Sequence, residues 1–162
     1  TTRRDGQYRV VRLVINFAMS YHNKADSFAK LLAMTYVTAE ILDAKGYGLE
    51  IYGMFNTHTR GLGDDKPYLK EQCIMVPLKK TQEGLDIERI GVVGIVGFFR
   101  HVSWIIANNL FGYFNGSARQ VSDEMRAFSG ADVLVENTWT YGDTTKQVMN
   151  ISKALESLEK GC

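Results

Sequence analysis

The residues best placed for chemistry lie in two polar segments, NFAMSYHNKAD (residues 16–26) and ENTWTYGD (residues 136–143). Each follows an apolar, β-branched run that is typical of a buried strand. Polar groups at the carboxyl ends of neighbouring parallel strands meet in one crevice, where ligands of α/β proteins usually bind. The predicted ligand-binding crevice contains Asn16, Ser20, His22, Asn23, Asn137 and Thr138.

One interpretation of this crevice is an active site that hydrolyses a nucleotide or another phosphoester. His22 and Ser20 could act as base and nucleophile, and Glu136 could supply an acid. However, phosphatases and nucleases on related sheets need a carboxylate at the end of the first strand, where this chain has Asn16. Histidine and serine also meet in loops by chance, and no serine lies in a nucleophile elbow. The sequence therefore favours a protein without catalysis of its own, with the hydrolase as the alternative.

Metal binding is not predicted. A hard cation loses most of its electrostatic attraction when an amide replaces a carboxylate, so we expect Asn16 to hydrogen-bond neighbouring backbone instead. No two of the three histidines have the spacing of metal ligands, and Cys73 and Cys162 do not form a C-x-x-C pair. We expect no cofactor, with Mg²⁺ as the alternative.

Aromatic residues in two segments, NNLFGYFNG (residues 108–116) and TWTY (residues 138–141), predict a surface for a partner. An aromatic residue in a loop either joins the core or anchors an interface, and five of them in two segments favour the second role. The predicted partner surface contains Phe111, Tyr113, Phe114, Trp139 and Tyr141.

Hydrophobic periodicity and turn residues predict the element order β-α-β-β-α-α-β-α for these segments. The strands are predicted at residues 8–19, 49–55, 68–76 and 131–137. Helices are predicted at residues 26–44, capped by Asp26 or Ser27, at residues 85–108 with a break near Gly97, at residues 117–128 behind a Ser117-x-x-Gln120 capping box, and after Asp143 to Gly161. Phe28, Leu31, Leu32, Ala39 and Leu42 form the predicted inner stripe of the first helix, and Val148, Ile151, Leu155 and Leu158 that of the last.

These elements predict a single three-layer α/β sandwich over residues 1–162, in which residues 1–7 are a flexible N-terminal stub. The first strand, helix and second strand form a right-handed βαβ unit, so these strands are parallel. No helix separates the second and third strands, which should pair antiparallel. The expected strand order is 3-2-1-4, with the third strand at the edge. Its apolar residues 73–76 favour self-association, most simply as a homodimer, through this edge or the aromatic segments.

The composition limits the classes of partner. Lys and Arg number 19 and Asp and Glu 18, so the net charge of +1 makes nucleic acid an unexpected partner. The longest apolar run, residues 90–99, is too short to span a bilayer, and no membrane partner is expected. The sequence thus predicts a soluble domain that binds another protein.

Two resemblances extend this interpretation. The element order resembles the von Willebrand A fold, whose first loop carries Asp-x-Ser-x-Ser around a divalent cation, whereas this chain has Asn16, Ala18 and Ser20 there. The sequence also resembles an uncharacterised domain family of bacteriophages and their bacterial hosts. That resemblance rests on Asn16, Gly46, Tyr47, Glu50, Leu85, Asp86, Arg89 and Arg100. It implies a phage-type protein with a degenerate metal site, a phage or host protein as partner, and a location in the host cytoplasm if a phage encodes it.

Overall fold

A computed structural model of the chain describes residues 9–18, 25–59, 70–93, 104–111, 121–136 and 144–160. Its strands are β1 (Val10–Asn16), β2 (Gly48–Thr59), β3 (Lys70–Lys79) and β4 (Val133–Glu136). Its helices are α1 (Ala25–Ala44), α2 (Ile87–Val93), α3 (Trp104–Phe111), α4 (Asp123–Ser129) and α5 (Thr144–Lys160). Among the described residues, no helix combines the length and the apolar character needed to span a bilayer.

The four strands form one mixed sheet in the order β3-β2-β1-β4, which confirms the predicted order. β1 pairs in parallel with β2 and β4, and β3 pairs antiparallel with β2. In this register Asn16 lies opposite Met54 of β2 and Glu136 of β4. The ends of β1 and β4 are therefore level with each other, as a crevice at this edge of the sheet requires.

Several predicted element boundaries are wrong. β3 ends at Lys79 and includes Pro77, which was expected to end it. A proline is tolerated there because β3 is an edge strand and Pro77 lies next to a register irregularity. α1 begins at Ala25, so Asp26 lies in its first turn and is not its cap. Within the predicted helix over residues 85–108, α2 ends at Val93 and α3 begins at Trp104, and residues 94–103 lie outside the described residues.

One side of the sheet, which we call the apolar face, packs against α1, α2 and α5. β1 contributes Val11, Leu13 and Ile15, which belong to one cluster with Phe17, just after the strand, and Ile90 of α2. The predicted stripe of α1 is confirmed for Phe28, Leu31, Ala39 and Leu42, all at most 2% exposed, and Leu32 packs beside them.

The stripe predicted for α5 is confirmed in part. Ile151 and Leu158 are buried in the cluster of the apolar face, and Leu155 is partly buried against it. Val148 is 50% exposed, so its inclusion in the stripe was wrong. The buried residues recur at the spacing of one helix face, and that face packs on the sheet. Val148 lies at the border of this face.

The opposite side, which we call the polar face, carries a smaller apolar cluster of Val14, Met54, Leu134 and Val121. α4 covers it with the partly buried Met125. Helices thus lie on both sides of the sheet, as a three-layer arrangement requires.

The end of β1 is fixed by the ring of Phe17, which lies against Gly53 of β2. A Cβ atom placed on Gly53 would be 2.7 Å from Cε1 of Phe17, so no larger residue fits unless the ring moves. The Phe17 ring centroid is also 6.0 Å from that of Phe55. In addition, the Phe17 N–H donates to the Met54 carbonyl at 3.0 Å. The chain is therefore held in register one residue beyond the strand.

Candidate functional site

Asn16 is the last residue of β1 and lies where the sequence predicts the crevice. It is 3% exposed, and its Oδ1 accepts a hydrogen bond from the Ala18 N–H at 3.0 Å. This contact confirms the expected hydrogen bond to neighbouring backbone: the amide satisfies a backbone donor where the strand ends. The Asn16 oxygen is therefore directed at the chain's own backbone.

Glu136, opposite Asn16 on β4, connects the sheet to α4. Its Oε1 accepts a hydrogen bond from the Val121 N–H at 2.9 Å, and its Oε2 lies 3.5 Å from Nη2 of Arg126. Burial raises the pKa of the Glu136 carboxyl, and the charge of Glu71 acts in the same direction. The Val121 N–H and the Arg126 guanidinium oppose that rise in pKa. A carboxyl group in such surroundings holds its proton to higher pH than an exposed glutamate does.

A second carboxylate, Glu71 of β3, collects donors from two other elements. Its Oε1 accepts from Nδ2 of Asn56 at 3.0 Å and from the Ser122 N–H at 3.4 Å, and its Oε2 accepts from the Ser122 hydroxyl. Asn56 is 1% exposed, and within the described chain its Oδ1 is a buried acceptor without a hydrogen-bond partner. The Glu71 network thus joins β2, β3 and the segment before α4.

Ser122 is the N-cap of α4, because its Oγ accepts from the Met125 N–H at 3.1 Å. The predicted capping box at Ser117 and Gln120 lies outside the described residues, and the predicted helix start there was wrong, since α4 begins at Asp123. The Ser122 hydroxyl also donates to Glu71 of β3, so a contact with this edge strand helps to fix where α4 begins.

A pocket opens beside Glu136, between α4, β4 and α5. Its volume is about 220 Å³, and we call it the α4–α5 pocket. The residues that line it are Arg126, Leu134, Glu136, Gln147, Asn150, Lys153 and Ala154. Gln147, Asn150 and Ala154 recur at i, i+3 and i+7, so one face of α5 supplies most of this wall. The sequence contains this spacing, but the apolar stripe beside it is the stronger signal, so the polar wall was not predicted.

Of the predicted crevice residues, the structure describes Asn16, and Glu136 of the catalytic alternative lies directly across from it. Ser20, His22, Asn23, Asn137 and Thr138 lie outside the described residues. The same holds for Tyr113, Phe114, Trp139 and Tyr141 of the predicted partner surface, and Phe111 is placed only as the last residue of α3. Sequence reasoning missed Glu71, Asn56, Arg126 and the α5 wall of the pocket.

Neither metal chemistry nor thiol chemistry is indicated by the described residues. Among them, no three side chains of the His, Cys, Asp and Glu types come close enough to hold a metal ion. Burial raises the pKa of the Cys73 thiol, and the Glu71 carboxylate adds to that rise. A raised pKa lowers the fraction of thiolate, which is the reactive form, so Cys73 serves as a packing residue.

The chain belongs to the family described as "Domain of unknown function (DUF7192)", whose model matches residues 1–159. This membership agrees with the expected uncharacterised family. No curated protein and no solved structure matches the chain.

Proposed function

We propose that this chain is a non-catalytic protein-interaction module of a phage-type protein, built on a von Willebrand A-like frame with a degenerate cation site. The observation that carries this proposal is the buried amide of Asn16, whose oxygen accepts the Ala18 N–H. A hard cation is held most strongly by charged oxygens, and this position supplies a neutral amide oxygen that already accepts a backbone N–H. The von Willebrand A-like fold would thus serve protein binding through the shape of its surface, without a bound cation.

Exposed apolar side chains on two short helices support an interaction role. Ile105 and Leu110 of α3 are 59% and 65% exposed, and Phe128 of α4 is 69% exposed. Large apolar residues that remain in solvent are candidates for interface anchors, particularly aromatic ones. The proposed partner is a phage or host protein.

The cation part of the proposal is tested by thermal unfolding with and without Mg²⁺, Mn²⁺ and Ca²⁺. We expect no cation-dependent stabilisation of the wild type. Asn16→Asp restores the carboxylate and can still accept the Ala18 N–H, so this variant is expected to gain a cation-dependent rise in melting temperature. Asn16→Ala is the matched control and should gain none. Stabilisation of the wild type by a cation would contradict the degenerate-site claim.

The interaction part is tested by comparing proteins captured from infected cells by the wild type and by Leu110→Ser/Phe128→Ser. We expect one saturable partner, confirmed with purified protein, whose affinity falls by about tenfold or more in the variant. Val37→Ser is the matched control, because Val37 is 54% exposed on α1, which packs on the side of the sheet opposite to α4. Equal capture by all three proteins would exclude α3 and α4 as the interface.

The alternative function is hydrolysis of a nucleotide or phosphoester, favoured by one observation: the partly buried Glu136 has a raised pKa, as general acids often do. A panel of nucleotides and chromogenic phosphoesters tests it. Turnover that His22→Ala and Glu136→Gln both abolish would establish the enzyme, and a panel without turnover would favour the interaction module.

Self-association through β3 also stays a proposal. Ile74 and Val76 pack on the larger core cluster, and Cys73 and Met75 on the smaller one, so these apolar side chains serve the interior on both faces. The remaining basis is the outer backbone edge of β3, the last strand in the described sheet. Light scattering after size exclusion tests the dimer, and a mass of 18.2 kDa at high concentration would exclude it.

A further inference from the structure

The α4–α5 pocket has the charge, the donors and the size of a binding site. We propose that it binds a small organic monocarboxylate that also carries a hydrogen-bond donor, such as a 2-hydroxy acid. This inference does not depend on the proposed interaction function, because it concerns a different surface and a different class of ligand.

Gln147 is the first reason to expect a polar occupant. It is 4% exposed, yet its side chain lines the pocket. A primary amide offers both N–H donors and a carbonyl acceptor to a molecule in the pocket. Asn150, one turn further along α5, brings a second amide to the same wall. Together the two amides present donors of the kind that a carboxylate oxygen accepts.

The charges in the wall select the sign of the occupant. Arg126 and Lys153 contribute two positive charges and Glu136 contributes one negative charge, so the pocket carries a net charge of +1. The contact between Arg126 and Glu136 is long, at 3.5 Å through one terminal nitrogen. A guanidinium carries five N–H donors, so that contact leaves donors for a ligand. A single negative charge would be neutralised there.

Glu136 restricts the ligand further. Its carboxylate would repel a doubly charged anion such as phosphate, and it can accept a hydrogen bond from a hydroxyl or an amine. The apolar contribution of Leu134 and Ala154 suits a short carbon chain between the two polar ends. These features together describe a monocarboxylate with a neighbouring donor group.

The size of the pocket favours small ligands. Sites for drug-sized molecules usually enclose about 300–1,000 Å³. The α4–α5 pocket, at about 220 Å³, falls below that range and suits an acid of a few carbon atoms. The pocket shares Glu136 with the hydrolase considered as the alternative function, but its volume suits a small acid better than a nucleotide.

The test is an NMR titration of the isotope-labelled chain with L-lactate, followed through the amide signals of Gln147, Asn150 and the backbone of residues 153–154. We expect saturable shifts at ligand concentrations below ~50 mM. Methyl L-lactate, which lacks the negative charge, should produce none. General shifts without saturation, or equal shifts with the ester, would overturn the proposal.

Two variants test the charge argument. Lys153→Gln should weaken lactate binding by about tenfold, whereas Lys30→Gln, a change at an exposed residue of α1, should leave it unchanged. Glu136→Gln should raise the affinity for inorganic phosphate relative to lactate, because the net charge of the wall rises by one. If Lys153→Gln binds lactate as the wild type does, or Glu136→Gln keeps the wild-type preference, the assignment is wrong.

Discussion

The apolar face and the polar face of the sheet are stabilised by different interactions, although alternate residues of the same strands supply both. On the apolar face, Leu13 and Ile15 of β1 are fully buried against α1 and α5. On the polar face, residues that alternate with them along the strand, such as Arg12 and Asn16, make directional contacts. Nη2 of Arg12 lies 3.2 Å from Oε2 of Glu50, and the guanidinium carbon of Arg12 lies 4.9 Å from the centroid of the Tyr52 ring.

This difference teaches how stability and specificity are divided in the molecule. Apolar burial depends on area and volume and tolerates many side chains of similar size. Hydrogen bonds at buried positions tolerate few substitutions, because a lost partner leaves a donor or acceptor unsatisfied. The apolar face should therefore determine how stable the chain is, and the polar face should determine where the ends of β1 and β4 lie.

The largest effect is expected on the apolar face. Leu13→Ala should lower the free energy of unfolding by about 2–5 kcal/mol, because Leu13 is fully buried and its removal leaves a cavity. Urea denaturation measures the change. Leu13→Met, of similar volume, is the control and should cost less than about 1.5 kcal/mol. If Leu13→Ala also costs less than about 1.5 kcal/mol, the apolar face does not dominate stability.

The next largest effect is expected at Glu71, on the polar face of the edge strand β3. Glu71→Ala removes the acceptor of Asn56 Nδ2 and of both Ser122 donors, and should cost about 2–3 kcal/mol. The same urea titration measures it. Glu71→Gln keeps an acceptor oxygen and should cost clearly less. Hydrogen exchange should show the additional loss of protection in α4, and unchanged protection there would contradict the role of Glu71 at its N-cap.

A smaller effect appears in the pH dependence of unfolding. The folded chain raises the pKa of Glu136 above its ordinary value of 4.5, so the proton is bound more tightly in the folded state. The stability that protonation provides is complete below pH 4.5 and is lost as the pH rises through the raised folded pKa. Glu136→Gln lacks this loss and should gain stability relative to the wild type as the pH rises above 4.5.

Glu83 is a matched control with the opposite sign. The Lys80 N–H lowers the pKa of the Glu83 carboxyl, with a further contribution from the charge of Arg89. The stability that the ionised Glu83 contributes is therefore present above the ordinary glutamate value of 4.5 and is lost as the pH falls through the lowered folded pKa. Glu83→Gln should lose stability relative to the wild type as the pH rises. Urea titrations at several pH values measure both slopes, and parallel slopes would contradict the pKa directions.

The smallest effect is expected at Val148, which the periodicity of α5 placed in the core but which is half exposed. Val148→Ala should change the free energy of unfolding by no more than about 0.5 kcal/mol. Ile151→Ala, three residues further along the same helix, should cost about 2–5 kcal/mol. Equal losses at the two positions would show that α5 is rotated from the arrangement described.

The sheet was predictable because its determinants are local or follow from connection length. The apolar run of β1 and the helix between β1 and β2 were sufficient to predict a parallel pair, and the lack of a predicted helix between β2 and β3 predicted the antiparallel edge. The start of α4 was not predictable in this way. Ser117 and Gln120 satisfy the local rule for a capping box, whereas the cap is Ser122, which Glu71 binds from 51 positions away.

The candidate site likewise has a part that follows from local sequence and a part that does not. The structural role of Asn16 could be inferred because an Asx side chain bonds the backbone two residues on, which is a local preference. The pairing of Glu136 with Arg126, and the pocket beside it, depend on how α4 and α5 pack around β4. No pattern within either helix specifies that packing. Donors and acceptors that are distant in sequence are the part of a site that a single sequence leaves undetermined.

The contact between Phe17 and Gly53 has a consequence for relatives of this chain. Because no Cβ fits at position 53 beneath the Phe17 ring, the two positions cannot drift independently during evolution. Relatives that carry alanine or a larger residue at position 53 should carry a smaller side chain at position 17. A covariation of this kind would mark the end of the first strand as a coupled unit, and it could be followed through the family as its members diverge.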